Sequence, residues 1–124
     1  MNKQHLKYSV PRLHPQAIPH MAEILKALGH PLRLRLLEVL AEGEASVGAL
    51  QEHLGTSQAI ASQQLRILRS NGIVTFRRQG TLSLYSLAIP GLLNLLVCLQ
   101  RCQQHCLNRL GISPADSSNP SEGA

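Results

Sequence analysis

The cysteines of this chain form a row in which each is four residues from the next, at Cys98, Cys102 and Cys106. On a helix, residues four apart lie above one another on one face, with a rise of about 6 Å per step. A soft metal ion binds thiolates at about 2.3 Å, which requires sulfurs about 3.5–4 Å apart. Two neighbouring thiols can reach that separation, but three on one straight helix cannot. A three-thiolate site would need the helix end to unwind or a thiol from a partner subunit.

Two interpretations of this cysteine row remain open. Clustered cysteines in a reducing compartment more often indicate metal or redox chemistry than stable disulfides, so sensing by thiol oxidation, by persulfidation or by a soft divalent metal with His105 is one hypothesis. The other is packing at a dimer interface, because free cysteine behaves as a small hydrophobe. This packing would follow a heptad-like seam of Leu92, Leu95, Leu99, Cys102, Cys106 and Arg109.

Charge is distributed unevenly in a chain of formal net charge +5. Every carboxylate lies at or before Glu52, or at or after Asp116. The segment between them carries only basic charges, at Arg66, Arg69, Arg77, Arg78, Arg101 and Arg109. A stretch of one sign is expected where a surface meets phosphates, although a solvated basic face is the alternative. The elements that carry these arginines therefore decide between the two.

Hydrophobic periodicity and turn residues predict five helices and one hairpin. Gly and Pro at the helix ends, Ser46 at one N-terminus and Thr56 or Ser57 at another place the helices at about residues 18–28, 31–42, 46–54, 58–70 and 90–111. Two β-prone runs, 73–78 and 82–87, flank the turn Gln79-Gly80-Thr81 and predict a β-hairpin. In the fourth helix we expect Ile60, Leu65 or Ala61, and Leu68 to face the core.

The third and fourth helices, joined by the tight turn Gly55-Thr56, predict a helix-turn-helix, and the hairpin after them adds a wing. In such a motif the second helix lies in the major groove with its N-terminal residues at the base edges. Gln is a bidentate partner for adenine, and Ser pairs with several bases. We therefore predict base contacts from Ser57, Gln58, Ala59, Ser62, Gln63 and Gln64. Phosphate contacts are predicted from Arg66 and Arg69 on the helix and from Arg77 and Arg78 at the wing tip.

The predicted fold is mainly α with a small β-hairpin wing, in one domain. We expect a flexible arm at residues 1–15, a winged helix-turn-helix domain at 16–111 and a disordered tail at 112–124. No apolar stretch approaches the ~18 residues that span a bilayer, and the N-terminus has no apolar signal region, so we expect a cytoplasmic protein without a membrane partner. The sequence has no phosphate loop, nucleophile elbow or paired carboxylates, and we predict no enzymatic activity.

The segment from Leu25 to Leu87 resembles the ArsR/SmtB family of bacterial repressors. The resemblance rests on the runs ALGHPLRLRLL, LGTSQAIASQQLRILRSNGIV and RRQG…YSL. Gln64 stands where the family often has His, and Ala61 where it often has Val. The resemblance implies a homodimer formed through the first and last helices, bound to double-stranded operator DNA and released when an inducer binds.

The resemblance also directs attention to the sensor sites of the family, and three of them are absent from this sequence. Ser46 and Gly48 occupy the positions of two metal-binding cysteines, and Glu38 occupies that of a persulfide-sensing cysteine. Residues 90–110 lack the carboxylates of the last-helix metal site. Some relatives hold trivalent arsenic with cysteines near the C-terminus, so arsenic(III) or antimony(III) at Cys98, Cys102 and Cys106 is the favoured inducer. Oxidation or persulfidation comes next, then cadmium, lead or zinc; no resident cofactor is required.

Overall fold

The structure, a computed structural model, describes residues 10–113. Its elements are, in chain order, α1 (Ile18–Leu28), α2 (Pro31–Ala41), β1 (Ala45–Ser46), α3 (Val47–Leu54), α4 (Gln58–Ser70), β2 (Val74–Gln79), β3 (Leu82–Leu87) and α5 (Leu92–Leu110). The predicted mainly α architecture with a β-hairpin is confirmed. Most of the predicted arm and tail, residues 1–9 and 114–124, lies outside the described residues, and the division into arm, domain and tail stays a prediction.

Local signals in the sequence set the helix ends. Pro31 occupies the first position of α2, and Nδ1 of His30 accepts the N–H of Leu32 at 3.1 Å. Ser46 and Ser57 cap α3 and α4, each Oγ accepting the N–H three residues further on at 3.2 Å. These side chains satisfy N–H groups that have no partner within the helix. The helices therefore begin where the capping residues stand.

The core joins α2, α3, α4 and the start of the wing. Its fully buried large side chains are Leu36, Leu37, Leu50, Leu65, Leu68 and Ile73. Burying each such side chain contributes about 1.5–3 kcal/mol, so this cluster holds α4 firmly against α2 and α3. The helix-turn-helix is thus part of the core rather than an appendage to it.

One expectation about the inner face of α4 is wrong. Ile60 was expected to face the core, but 41% of its surface is exposed. The buried residues of α4 are Ala61, Gln64, Leu65 and Leu68, which are spaced i, i+3, i+4 and i+7. Ile60 lies about 100° around the helix from Ala61 and so falls outside that stripe. The inner face therefore includes a polar residue, Gln64, which was predicted to be a base contact on the outer face.

The wing is a three-stranded antiparallel sheet in the order β1-β3-β2. The sequence did not predict β1, because two residues are too short to show a period. The hairpin register pairs Gln79 with Leu82, so the turn is two residues long, not three. Its first residue, Gly80, has a φ of 61°, a conformation that glycine adopts without strain.

Helices α1 and α5 leave apolar surface uncovered in the single protomer. The exposed large hydrophobic residues on these two helices are Ile18, Met21, Leu25, Leu93, Val97, Leu99 and Leu110. The N-terminal half of α5 packs on the core through Leu92, Leu95 and Leu96. Among residues 10–113 no helix is both long enough and apolar enough to cross a membrane.

Candidate nucleic-acid interface

The turn between α3 and α4 sets the direction of the second helix of the motif. Gly55 ends α3 in the left-handed conformation, with φ 64° and ψ 34°, and its N–H donates to the carbonyls of the last turn. Thr56 links it to Ser57, whose extended backbone and side chain open α4. Because Leu50 and Leu65 are both fully buried, the two helices are packed together on either side of this turn. The N-terminal half of α4 then points its outer face away from the core.

That outer face carries most of the side chains predicted to bind DNA. Ala59, Gln63 and Arg66 follow at helical spacing opposite the buried stripe, and all three are exposed. Ser57 and Gln58 are exposed at the N-terminus, and Ser62 is half-buried at the edge. The small Ala59 at the centre of this face leaves room for close approach to a groove floor. No acidic residue interrupts the face, since the chain has none between residues 53 and 115.

Gln64 occupies a different position from the other predicted base contacts. Only 9% of its surface is exposed, and it faces the core side of α4. Its Oε1 accepts a hydrogen bond of 2.9 Å from Nη1 of Arg33 on α2. The structure therefore places this amide inside the domain rather than on the outer face. Sequence reasoning missed Arg33, because a partner 31 residues away leaves no local signal.

The hairpin orients two of the predicted phosphate-binding arginines. The guanidinium carbon of Arg69 lies 4.2 Å from the centre of the Phe76 ring, a cation–π contact between α4 and β2. Phe76 itself packs on Tyr85 of β3 at a centroid separation of 5.5 Å. On the same face of the sheet, Nη1 of Arg78 donates to Oγ of Ser83 at 3.0 Å. Both arginines have neutral partners in these contacts and so keep their charge available to an anion.

Arg77, by contrast, is engaged by a carboxylate. Its Nε and one Nη donate hydrogen bonds of 2.8 and 2.9 Å to the two carboxylate oxygens of Glu44, just before β1. This bidentate pair lowers the pKa of Glu44 below its ordinary value, mainly through the hydrogen bonds from Arg77; desolvation opposes the shift, and charge attraction to Arg77 adds to it. The pKa of Arg77 is correspondingly raised. The acid-free segment of the sequence thus meets an acid in space, because β1 pairs with β3 and so brings Glu44 into the wing.

Comparison with known proteins points to one family. A sequence profile described as bacterial regulatory protein, arsR family, matches residues 30–75. The crystal structure of Mycobacterium tuberculosis Rv0081 has 37% sequence identity to this chain and a TM-score of 0.66. The match covers 78% of this chain and 97% of the Rv0081 chain. A biofilm growth-associated repressor of Xylella fastidiosa strain Temecula1 is 42% identical to this chain over 81 residues. That match covers 56% of this chain and 71% of the repressor.

The chain belongs to the arsR family. A third relative, Mb0332 from Mycobacterium bovis, is described as a homodimeric winged helix-turn-helix DNA-binding domain. Its structure is 30% identical, with a TM-score of 0.68, and covers 82% of this chain and 95% of that fragment. The predicted family resemblance and the winged helix-turn-helix fold are confirmed. This arsR-family chain is a DNA-binding transcriptional regulator and not an enzyme.

The cysteine row of this arsR-family chain lies on α5. Cys98, Cys102 and Cys106 are all exposed free thiols in the protomer. The helix runs without a break from Leu92 to Leu110, so successive cysteines keep a rise of about 6 Å. Within the described part of the chain, no three His, Cys, Asp or Glu side chains are grouped to hold one metal ion. The three thiols of one protomer therefore do not fit a single ion without help from elsewhere.

Proposed function

We propose that this arsR-family regulator is a homodimeric repressor that binds double-stranded operator DNA through the outer face of α4 and the wing. The observation that carries the proposal is the helix-turn-helix whose second helix presents an exposed, acid-free face of small and amide side chains. A helix that only needed solubility would ordinarily carry Lys and Glu there. The Xylella relative described as a repressor supports the direction of regulation.

The protein would make two classes of contact with DNA, one to base edges and one to phosphates. Ser57, Gln58, Ala59, Ser62 and Gln63 would lie along the major groove, where Gln pairs with adenine and Ser with several bases. Arg66, Arg69 and Arg78 would contact phosphates and fix the position of the helix without specifying sequence. Arg77 is less available than its place on the wing suggests, because Glu44 neutralises it.

The partner in the dimer would be a second copy of this chain. The exposed apolar residues of α1 and α5 offer a surface that one protomer cannot cover by itself. The Mycobacterium bovis relative, described as homodimeric, supports this assembly. Two recognition helices in such a dimer would meet half-sites about one helical turn apart on the DNA, roughly 34–36 Å.

The inducer would be a thiol-binding species captured by the cysteine row, with arsenic(III) or antimony(III) favoured. Each metalloid–sulfur bond forms when a thiolate displaces a hydroxide ligand, which leaves as water with the thiol proton. Two neighbouring thiols of one α5 can adopt the short sulfur–sulfur separation such an ion requires, but the third cannot. The third ligand would come from the partner's α5, because the exposed apolar residues Val97 and Leu99 on either side of Cys98 give the two α5 helices a surface on which to meet. Closing that site would shift α5, and with it the separation of the recognition helices.

The test is fluorescence anisotropy of the reduced, full-length protein on DNA from upstream of its own gene. Arsenite, a persulfide donor and cadmium are titrated separately, and the control is the triple variant Cys98→Ser, Cys102→Ser, Cys106→Ser. Release of the DNA by arsenite that is absent in the variant supports the proposed inducer. Release of the DNA by the persulfide donor or cadmium alone would make that agent the inducer in place of arsenite, with the cysteines still acting as the sensor. Tight binding that no agent changes leaves a repressor whose cysteines are packing residues, and no binding at all refutes the operator proposal.

A further inference from the structure

One arginine joins three helices on the inner side of the winged domain. Arg33 lies on α2 and is half-buried. Its Nε donates a hydrogen bond to the main-chain oxygen of Ala27 on α1, and its Nη1 donates to Oε1 of Gln64 on α4 at 2.9 Å. A single guanidinium therefore connects α1, α2 and the helix proposed to read DNA.

The acceptor on α1 is a carbonyl that its own helix leaves without a partner. Ala27 is the second-last residue of α1, and the last four carbonyls of an α-helix have no intrahelical donor. The N–H groups of Gly29 and His30 satisfy the carbonyls on either side of it. Arg33 supplies the donor for Ala27, and its positive charge is favourable at the negative end of the helix dipole. The end of α1 therefore fixes the position of the guanidinium.

The acceptor on α4 is an amide that cannot be left unpaired. Gln64 is 9% exposed and stands in a row with the apolar Ala61, Leu65 and Leu68. Burying an amide without a hydrogen bond is costly, and Arg33 removes that cost. A Gln64 side chain that reached for a base edge would have to break this bond and leave the core side of the helix. The bridge therefore holds α4 from inside, independently of its outer face.

We propose that Arg33 and Gln64 are positioning residues that fix α4 against α1, and thereby set the separation and angular phase of the two recognition helices in the dimer. The inference rests on the proposed function, because α1 carries part of the proposed dimer surface on its exposed side, at Ile18, Met21 and Leu25. The bridge then links the helix that would contact the partner directly to the helix that would enter the groove.

Arginine is the residue this geometry requires. Its planar guanidinium presents several N–H groups in a rigid fork, so one side chain can serve two acceptors on different helices in a fixed relation. Lysine carries one compact ammonium on a flexible stem, and its rotatable donors have no fixed directions, so it would not fix the angle between the two acceptors. The bridge therefore predicts that Arg33→Lys loosens α4 although the positive charge is kept.

The experiment measures half-site spacing as well as affinity. The full-length wild-type protein selects a duplex from a random-sequence library, and anisotropy compares that duplex with a copy carrying one extra base pair between the half-sites, a turn of about 35°. The variants are Gln64→Met, which removes the acceptor at similar volume, Gln64→Glu, which retains it, and Arg33→Lys. The matched control is Arg35→Lys on the same helix, where the side chain is exposed and its ion-pair partner is Glu38.

For the wild type, Gln64→Glu and Arg35→Lys we expect the extra base pair to weaken binding about tenfold, since the rigid dimer must twist the DNA to fit. For Gln64→Met and Arg33→Lys we expect the spacing penalty to fall to about threefold or less, with the base preference at each position unchanged. Circular dichroism melts show whether each variant is folded at the assay temperature. Folded Gln64→Met that keeps the full penalty overturns the inference, as does a changed preference at one base pair, which would make Gln64 a base contact. A wild-type chain that selects no two-half-site duplex instead overturns the proposed function and this inference with it.

Discussion

Neutralising Glu44 should strengthen operator binding by freeing an arginine on the wing. In the protein, Glu44 holds Arg77 by two hydrogen bonds of 2.8 and 2.9 Å, so the pair presents no net charge to a phosphate. Glu44→Gln keeps the shape of the side chain but removes the charge. Arg77 then becomes a free cation beside Arg78, at the edge of the proposed interface. We expect tighter binding at low salt and a steeper loss of affinity as salt rises.

The magnitude follows from counterion release. Each phosphate neutralised by a cation contributes about −0.9 to the slope of log K against log salt concentration. With Arg66, Arg69 and Arg78 as the contacts in each protomer, a wild-type dimer should have a slope of about −5. One added contact per protomer makes the Glu44→Gln slope steeper by about 1.8, which is roughly a tenfold greater loss of affinity over a fourfold rise in salt.

The assay is anisotropy of a labelled operator duplex at several salt concentrations, with Glu38→Gln as the matched control. Glu38 also pairs with an arginine, Arg35, at 3.5 Å, so its substitution changes the net charge equally but frees a cation on α2 instead of the wing. We expect the control to keep the wild-type slope. Arg77→Gln should also keep it, while weakening binding through the unpaired Glu44. Equal slopes for Glu44→Gln and the control would refute the reasoning, as would a slope that Arg77→Gln flattens by a full contact per protomer.

Three further predictions concern stability. Leu65→Ala opens a cavity at a fully buried site and should lower the free energy of unfolding, measured by urea denaturation, by about 2–5 kcal/mol. The control Leu82→Ala, at the exposed wing tip, should change it by under about 0.5 kcal/mol. Gly55→Ala should cost about 1–2 kcal/mol in a thermal melt, because φ is +64° although a Cβ would meet nothing within 4 Å; Gly91→Ala, at φ −76°, should not show this loss. Because the pKa of Glu44 is lowered on folding, its contribution to stability is complete above the ordinary carboxyl pKa and is lost as pH falls through the lowered value. The difference in free energy of unfolding between wild type and Glu44→Gln, measured by urea denaturation, should therefore shrink from about pH 7 to about pH 3, and an equal difference at both would contradict this.

The parts of the fold that the sequence predicts are those with local causes. Ser46 and Ser57 cap their helices through atoms three residues away, and Gly55 and Gly80 allow backbone conformations that other residues avoid. These signals are complete within a few residues, so the helix-turn-helix and the hairpin could be placed from the sequence. The outer face of α4 followed from helical spacing except at Ile60 and Gln64, each of which was assigned to the wrong face.

The parts that could not be predicted depend on residues far apart in the sequence. The Arg33–Gln64 bond spans 31 residues and the Arg77–Glu44 pair spans 33. Strand β1 has two residues and exists only because β3 offers it an edge. In each case the composition around one partner says nothing of the other, and only the packing of α2, α4 and the sheet brings them together.

These long-range contacts give the arginines of this chain different roles. In the linear sequence, a block of arginines without acids looks like a uniform phosphate-binding surface. In the folded protein, Glu44 neutralises Arg77 and Phe76 orients Arg69. A further cation, Arg33, holds α4 from its core side. Arginines that bind a phosphate act on affinity and its salt dependence, whereas one that fixes a helix acts on geometry. Substitution of a phosphate-binding arginine such as Arg69 should therefore flatten the salt dependence of DNA binding. Substitution of Arg33 should instead relax the requirement for one half-site spacing.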